Sequence, residues 1–213
     1  LDLAGYSYAV DGAPDDTGDT TATSFDIATS SLKQLADGTH TFSVMAMNTA
    51  GNTGKPFSIE LWIDTTPPQI TSYAPSPGTL LGLSTAAVNA TVSDAGSGVD
   101  TAHLEVLLNG QSVAVQFDEA TGALSTLGQG AWKEGTNSLT LRASDRIGNA
   151  QAPLVWSVNF DSTPPTGSVT INGGADMTTS AYVTLTLTAS DAVSGLDRIL
   201  ISNEELTGYV EEP

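Results

Sequence analysis

Gly38-Thr-His-Thr-Phe-Ser-Val-Met-Ala46, a turn at Asn48-Thr-Ala-Gly-Asn52, then Phe57-Ser-Ile-Glu-Leu-Trp-Ile63 running into Asp64-Thr-Thr-Pro-Pro68, is the stretch that decides the fold. Phe42, Val44 and Ala46 alternate with Thr41, Ser43 and Met45. Phe57, Ile59, Leu61 and Ile63 alternate with Ser58, Glu60 and Trp62. A period of two is that of a strand with one dry face and one wet face, so the stretch predicts a hairpin with Phe42, Val44 and Ala46 inward. The pattern then returns. Gly38, Ala46, Gly51, Asn52, Pro56, Asp64, Thr66, Pro67 and Pro68 recur as Gly135, Ala143, Gly148, Asn149, Pro153, Asp161, Thr163, Pro164 and Pro165, each 97 positions later and with no insertion or deletion. Asp94-Ala-Gly-Ser-Gly-Val-Asp100 likewise returns as Asp191-Ala-Val-Ser-Gly-Leu-Asp197. A fixed period near 100 residues signals tandem modules of the size of an immunoglobulin-like sandwich.

Working outward, the two hairpins are strands F and G of successive modules. After each Pro-Pro comes an edge segment that tolerates proline, then a strand B with inward Ala86, Val88, Ala90 and Val92, or Val183, Leu185, Leu187 and Ala189. Strand C is expected at 102–108, with Ala102 and Leu104 matching Ile199 and Ile201. Asn109-Gly110 is a hairpin turn, and a Gly-rich connection holds Trp132. The fold class predicted is all-β, tandem immunoglobulin-like β-sandwiches: a partial module at 1–66 (strands C to G, beginning at Tyr6-Ser-Tyr-Ala-Val-Asp-Gly12), a complete module at 67–163, and a partial module at 164–213 (strands A to C). Neither partial module closes a sandwich alone. Either the polypeptide extends in both directions or neighbouring copies, or other surface proteins, complete it by strand addition; simple extension is the favoured reading.

The residues Asp37-Gly-Thr-His-Thr-Phe-Ser-Val-Met-Ala46, Ala50-Gly-Asn52 and Ile63-Asp-Thr-Thr-Pro-Pro68 resemble the bacterial Ig-like or fibronectin-III-like repeats of surface proteins and multidomain secreted enzymes. Val183-Thr-Leu-Thr-Leu-Thr-Ala-Ser-Asp-Ala-Val-Ser-Gly195 with Ile201-Ser-Asn203 is similar to a variant of the same group. The resemblance implies fold and an extracellular or cell-surface setting, and is nearly silent on activity, since one fold serves many functions. Asn48 departs from the pattern, standing where Asp145 stands in the second copy.

Composition removes whole classes of function. The chain of 213 residues carries 24 acidic against 6 basic side chains, net −18, a balance that repels nucleic acid and anionic lipid and attracts cations. It has no cysteine, so disulfides, thiolate metal sites and cysteine nucleophiles are excluded. No apolar run is long enough to span a membrane. No signal-like segment opens the sequence, so any targeting peptide is expected upstream or already removed.

The chemistry the residues suggest is cation binding. In an antiparallel sandwich the start of strand A, the B–C loop and the F–G loop meet at one end. That brings Asp64 toward Asp94, Asp100, Asp145 and Asn149 at one joint, and Asp161 toward Asp191 and Asp197 at the next. Oxygen ligands on turns suit calcium, which takes about six to eight of them. The competing reading is that Asp and Asn before Gly or Ser are turn formers bonding their own backbone, and no contiguous Asp-x-Asp-x-Asp loop occurs. The acidic run Asp11-Gly-Ala-Pro-Asp15-Asp16-Thr-Gly-Asp19 reads as a solvated loop.

Enzyme signatures fail. His40, assigned to the outward face of strand F, and His103 stand without triad or metal partners. Gly96-Ser97-Gly98 lacks a strand-to-helix setting, and Gly128-Gln-Gly130 lacks a third glycine. Asn89-Ala-Thr91 matches a glycosylation acceptor by coincidence, lying mid-strand. Of Trp62, Trp132, Trp156, Tyr6, Tyr8, Tyr73, Tyr182 and Tyr209, Trp156 is expected inward as a core anchor. Trp62 is expected outward, either packed on a neighbouring module or stacked on a glycan. The reading is therefore a non-catalytic extracellular repeat array acting as spacer, stalk or assembly scaffold, calcium-stiffened at its joints. Its rival is an adhesin or carbohydrate-binding accessory region of a secreted enzyme.

Overall fold

Gly38–Asn48 (β2) and Phe57–Ile63 (β3) pair antiparallel in the computed structural model, from Gly38 opposite Ile63 to Val44 opposite Phe57. The structure describes residues 3–14, 19–24, 35–82, 86–127 and 132–201, with the backbone of 210–211; Asp15, Asp16, Asn203, Tyr209 and the Gly128–Gly130 motif lie outside them. Every element among the described residues is a strand. No helix is long and apolar enough to cross a membrane among the described residues. The chain forms two compact units, one of residues 1–69, 93–102 and 143–151, the other of residues 70–92, 103–142 and 152–213.

In the first unit β2 lies between β3 and Leu3–Val10 (β1), giving a three-stranded sheet. Asp11 leaves β1 with φ of 55°, a left-handed conformation that aspartate tolerates, and its amide donates to the Thr41 carbonyl. The matching turn in the next copy is Asn109, φ 51°, which is 98 rather than 97 positions on. The first strand C therefore sits one residue off the repeat, and Val10, not Asp11, lies opposite Phe42. The burial of this sheet corrects the expected facing. Ser7, Ser43 and Met45 are buried, whereas Phe42 and Val44 are half-buried and Ala46 is exposed. The buried hydroxyls are satisfied, Ser43 by Ser58 at 2.7 Å and Ser7 by Asp19 at 3.1 Å. The Phe42 face remains open because no second sheet covers it among the described residues.

The second unit holds the closed sandwich. One sheet has the order β4-β6-β10-β9, from Gln69–Ala74 (β4), Asn89–Ser93 (β6), Val115–Asp118 (β9) and Ala123–Thr126 (β10). The other has the order β5-β12-β11-β7-β8, from Leu80–Leu81 (β5), Glu105–Leu108 (β7), Gln111–Val113 (β8), Gly135–Arg142 (β11) and Leu154–Phe160 (β12). β10 pairs antiparallel with β6 and β9, β11 with β12 and β7, and β7 with β8, whereas β5 runs parallel to β12. This is an immunoglobulin-like arrangement, strands A, B, E and D over A′, G, F, C and C′. Alternate residues of both sheets form its core: Val88, Ala90, Val92 and Leu124 from one, Val106, Leu108, Leu139, Leu141, Trp156 and Val158 from the other. Trp156 points inward as expected; its ring lies 4.9 Å from that of Tyr73, and its Nε1 donates to the Pro75 carbonyl at 2.9 Å. Strand C starts later than the sequence predicts. The Asp100 carboxylate takes the Ala102 amide and turns the backbone, leaving Ala102 exposed and Leu104 as the first buried residue of that arm.

The same unit carries a second, open piece, Thr166–Ile171 (β13) paired antiparallel with Leu185–Ser190 (β14). β13 falls 97 positions after β4, end for end. Val183, Leu185, Leu187 and Ala189 lie exposed, because only two strands of this sheet are present among the described residues. Leu200–Ile201 (β15) pairs with Val210–Glu211 (β16).

Candidate metal centre

Asp64 follows β3 directly and is 8% exposed. Its Oδ1 accepts the Thr66 amide at 3.1 Å and its Oδ2 the Ser97 amide at 2.6 Å, so one carboxylate ties the Thr-Thr-Pro-Pro segment to the loop after β6. Asp94 opens that loop, its Oδ1 accepting the amides of Gly96 at 3.0 Å and Gly98 at 2.7 Å. Asp145 begins the turn after β11 and is fully buried; its Oδ1 takes the amides of Ile147 and Asn149, and its Oδ2 the Asn149 side chain at 2.6 Å. Asn149 Nδ2 also donates to the Asp64 carbonyl at 3.1 Å. Val99 and Asp145 form a β-bridge, which holds the two loops side by side. All these residues belong to the first compact unit.

Three carboxylates converge as a result. Asp64, Asp94 and Asp145 each offer an oxygen, and these oxygens lie within 4.8 Å of one another. Burial pushes the Asp145 carboxyl up, but hydrogen bonds from the Asn149 side chain and from the amides of Asn149, Ile147 and Gly148 outweigh it and leave the group below the ordinary aspartate value. The charged form is thus favoured inside a buried turn. Gly96 lets the loop come this close: a Cβ there would overlap the Asp64 carboxylate. An all-oxygen donor set on turns fits a hard cation such as calcium, with three carboxylates supplying part of a shell that carbonyls and water would complete.

The predicted residues divide clearly. Asp64, Asp94, Asp145 and Asn149 come together. Asp100 stays outside the triad, its amide on the Ser144 carbonyl and its Oδ1 on the Ala102 amide. In the second unit Asp161 and Asp191 share the Ser194 amide, at 2.9 Å each, while Asp197 is exposed. No third acidic side chain joins that pair among the described residues. The hydrogen bonds themselves repeat with the sequence: Thr163 and Ser194 amides bond Asp161 as Thr66 and Ser97 bond Asp64, and Gly195 bonds Asp191 as Gly98 bonds Asp94. Hydrogen bonding from Ser194, outweighing burial, holds the Asp161 carboxyl below its ordinary value.

Sequence reasoning missed Asp37 and Glu134, which occupy the same repeat position. Asp37 accepts the Thr65 amide at 2.8 Å and the hydroxyls of Thr65 and Thr66, and these bonds, the Thr66 hydroxyl first, lower its carboxyl. Glu134 accepts the Ser162 amide at 3.0 Å and the Ser162 hydroxyl. A carboxylate two or fewer residues before a β-strand, facing a hydroxyl 28 positions on, was the available signal. His40 also differs from expectation: its side chain is only 12% exposed, with Nδ1 2.7 Å from Asp11 and Nε2 2.7 Å from the Ala36 carbonyl. Trp62 is 60% exposed and borders a recess with Asp37, Asp64, Thr66 and Asp94.

Neither a family model nor a curated protein matches the chain. Among solved structures it is similar to dimeric latent PorU from Porphyromonas gingivalis, with a TM-score of 0.39 and 17% identity, covering 62% of this chain and 15% of that one. It is also similar to fibronectin(III)-like modules of CbhA from Clostridium thermocellum, with a TM-score of 0.34 and 14% identity, covering 75% and 78%. CopC from Methylosinus trichosporium OB3b gives a TM-score of 0.34 and 16% identity, covering 44% and 94%. The chain thus spans about 15% of the length of the PorU chain.

Proposed function

We propose that the chain is a non-catalytic run of immunoglobulin-like repeats that serves as spacer, stalk or assembly scaffold of a larger surface or secreted protein, with calcium stiffening the joint at Asp64. The observation that carries this reading is the duplicated clamp. Asp64 and Asp161 each bond both the linker that follows and a loop 33 positions on, with the same atoms in both copies. A clamp repeated with the same atoms is what a load-transmitting array requires, and a catalytic site does not. The extracellular setting and bacterial source rest on the resemblance of residues 37–68 to surface and secreted repeats. Calcium rests on the triad of Asp64, Asp94 and Asp145.

The test is thermal unfolding of the 213-residue chain in millimolar calcium against chelator. At about 100-fold saturation a ligand specific for the native state adds roughly 2.7 kcal/mol, and a chain of this size gains about 2–4 °C per kcal/mol. An upward shift of several degrees that Asp94→Ala abolishes is expected. Equal melting in calcium and chelator removes the metal from the proposal and leaves the clamp.

A second reading, glycan binding, is favoured by one observation, the exposed Trp62 indole beside the Asp37 and Asp94 carboxylates. Retention on immobilised glycans that Trp62→Ala eliminates would support it. No retention, or retention that Trp62→Ala leaves unchanged, removes it.

A further inference from the structure

The closed sandwich turns a polar groove of about 470 Å³ outward from the sheet β4-β6-β10-β9, and all of its lining belongs to the second compact unit. Asn89 of β6, Ser125 of β10 and Gln116 of β9 stand opposite one another in register, which puts their side chains in one row on the outer face. Neighbouring strands lie about 4.8 Å apart, so the two amides are about 10 Å apart with the hydroxyl between them. Asn89 and Gln116 are exposed and Ser125 is half-buried; none of the three side chains bonds another described residue. A second row runs beside the first, with Thr91 opposite Ala123 and Ala123 opposite Asp118. Ser72 Oγ extends it, donating to Thr91 Oγ1 at 2.9 Å.

The lining selects an uncharged, hydroxyl-rich ligand. In a chain with 24 acidic side chains, the groove is bordered by a single charged one among the described residues, Asp118, and its Oδ1 already takes the Ala120 amide of its own turn at 2.9 Å. Neither an anion nor a cation finds a charged partner set here. Each amide holds a carbonyl acceptor beside an NH2 donor, and the serine hydroxyl does both. Adjacent sugar hydroxyls, each at once donor and acceptor, match that alternation. A peptide is served less well, because the backbones of β6, β10 and β9 are already paired with one another along the groove and leave no free main-chain ladder in its floor. The short side chains of Ala74 and Ala123, both exposed, open an apolar strip against which the C–H face of a pyranose ring can rest. The groove's size falls in the range of small-ligand sites, about 300–1,000 Å³.

The repeat separates this face from the scaffold. Asp64 and Asp94 of the clamp return 97 positions on as Asp161 and Asp191, whereas Ser72, Ala74 and Asn89 give way to Val169, Ile171 and Thr186. The groove's chemistry thus belongs to one copy, as a site set on a shared fold does. We propose that the outer face of β4-β6-β10-β9 binds a neutral glycan, with Asn89, Ser125 and Gln116 bonding ring hydroxyls and Ala74 and Ala123 backing the ring. This site is separate from Trp62 and from the carboxylate triad, and it needs no metal.

Chemical-shift titration of the 15N-labelled 213-residue chain in chelator tests the proposal. Cellohexaose, xylohexaose, mannohexaose, laminarihexaose and chitohexaose are each added to about 10 mM, enough to read millimolar affinity. Expected with at least one of them is a saturable shift of the backbone amides of 89–91, 116–118 and 123–125 and of the side-chain amides of Asn89 and Gln116. Asn89→Ala combined with Gln116→Ala removes two exposed amides and is expected to weaken binding about tenfold. A second variant gives the groove the residues of the next copy: Ser72→Val, Ala74→Ile and Asn89→Thr together are expected to preserve the spectrum of the sandwich core and to abolish the titration. No shift with any of the sugars overturns the proposal. So do shifts that centre on Trp62 instead of the groove, and binding that both variants leave unchanged.

Discussion

The Ser97 amide donates to Asp64 Oδ2 at 2.6 Å, and 97 positions on the Ser194 amide donates to Asp161 Oδ2 at 2.9 Å. Removing Asp64, itself 8% exposed, takes the acceptor from the Thr66 and Ser97 amides; removing Asp161, 9% exposed, takes it from the Thr163 amide, while the Ser194 amide keeps Asp191. An unsatisfied buried donor costs about 1–3 kcal/mol. Asp64→Ala is therefore expected to lower the melting temperature by several degrees in chelator, where no metal contributes. Differential scanning calorimetry of Asp64→Ala and Asp161→Ala checks it; a loss under a degree in both would mean that the clamp adds no stability.

Gly96 makes a sharper steric test. Its missing Cβ is what admits the Asp64 carboxylate, whereas a Cβ at Gly54 meets only the Ala46 carbonyl at 3.6 Å, an ordinary contact. Gly96→Ala is expected to destabilise the chain by roughly 1–3 kcal/mol, as overpacking does, and Gly54→Ala by less than about 1 kcal/mol. Denaturation midpoints of the pair read this directly, and equal midpoints would contradict the close approach.

The first copy shows what Asp145 is for. Asn48 occupies its repeat position, and Asn48 Oδ1 still accepts the amides of Ala50 at 3.0 Å and Asn52 at 2.9 Å. The turn needs an acceptor oxygen; the charge is additional. Asp145→Asn is accordingly expected to keep the turn, at a modest cost in stability near neutral pH in chelator, and to lose any calcium response. The acid limb should change too. A carboxyl lowered in the folded state stabilises above its unfolded value, 3.8, and that stability disappears as pH falls through the lower folded value. Asp145→Asn removes this contribution, so its melting temperature should fall less steeply below pH 3.8 than that of the parent.

Much of this was readable from the residues because strands with period-two burial and joints with Asx turns write local patterns. The repeat places Asp64, Asp94 and Asp145 in one neighbourhood, together with Asp100, which the structure leaves outside the triad, since antiparallel winding alone fixes which loops share an end. Facing in the first hairpin was not readable. Phe42 and Val44 are apolar in the expected register, but whether they are covered depends on a sheet that local sequence does not specify. Asn137 escaped notice for a different reason: it is fully buried in β11, and bonds to Asn109, Lys133 and Gly135 that satisfy it come from the loop conformation, not from the strand pattern. Asp37 and Glu134 were overlooked because their partners lie 28 positions away.

His40 places both ring nitrogens on acceptors, the Asp11 carboxylate and the Ala36 carbonyl, each at 2.7 Å. Two acceptors require two N–H donors, so the arrangement selects the imidazolium. Hydrogen bonding to Asp11, then to Ala36, raises the His40 value above 6.5, and the same contact lowers that of Asp11. A raised histidine contributes stability that is complete below its unfolded value of 6.5 and is lost as pH climbs through the higher folded value. The first sheet is therefore expected to loosen on going from mildly acidic to mildly alkaline solution, with faster amide exchange at Thr41, whose N–H bonds Asp11 at 2.9 Å. His40→Gln retains a donor without the charge and should abolish that pH dependence. Exchange at Thr41 that stays constant from pH 6 to 8.5 in the parent chain, after correction for the intrinsic rate, would show that the ring does not titrate against Asp11.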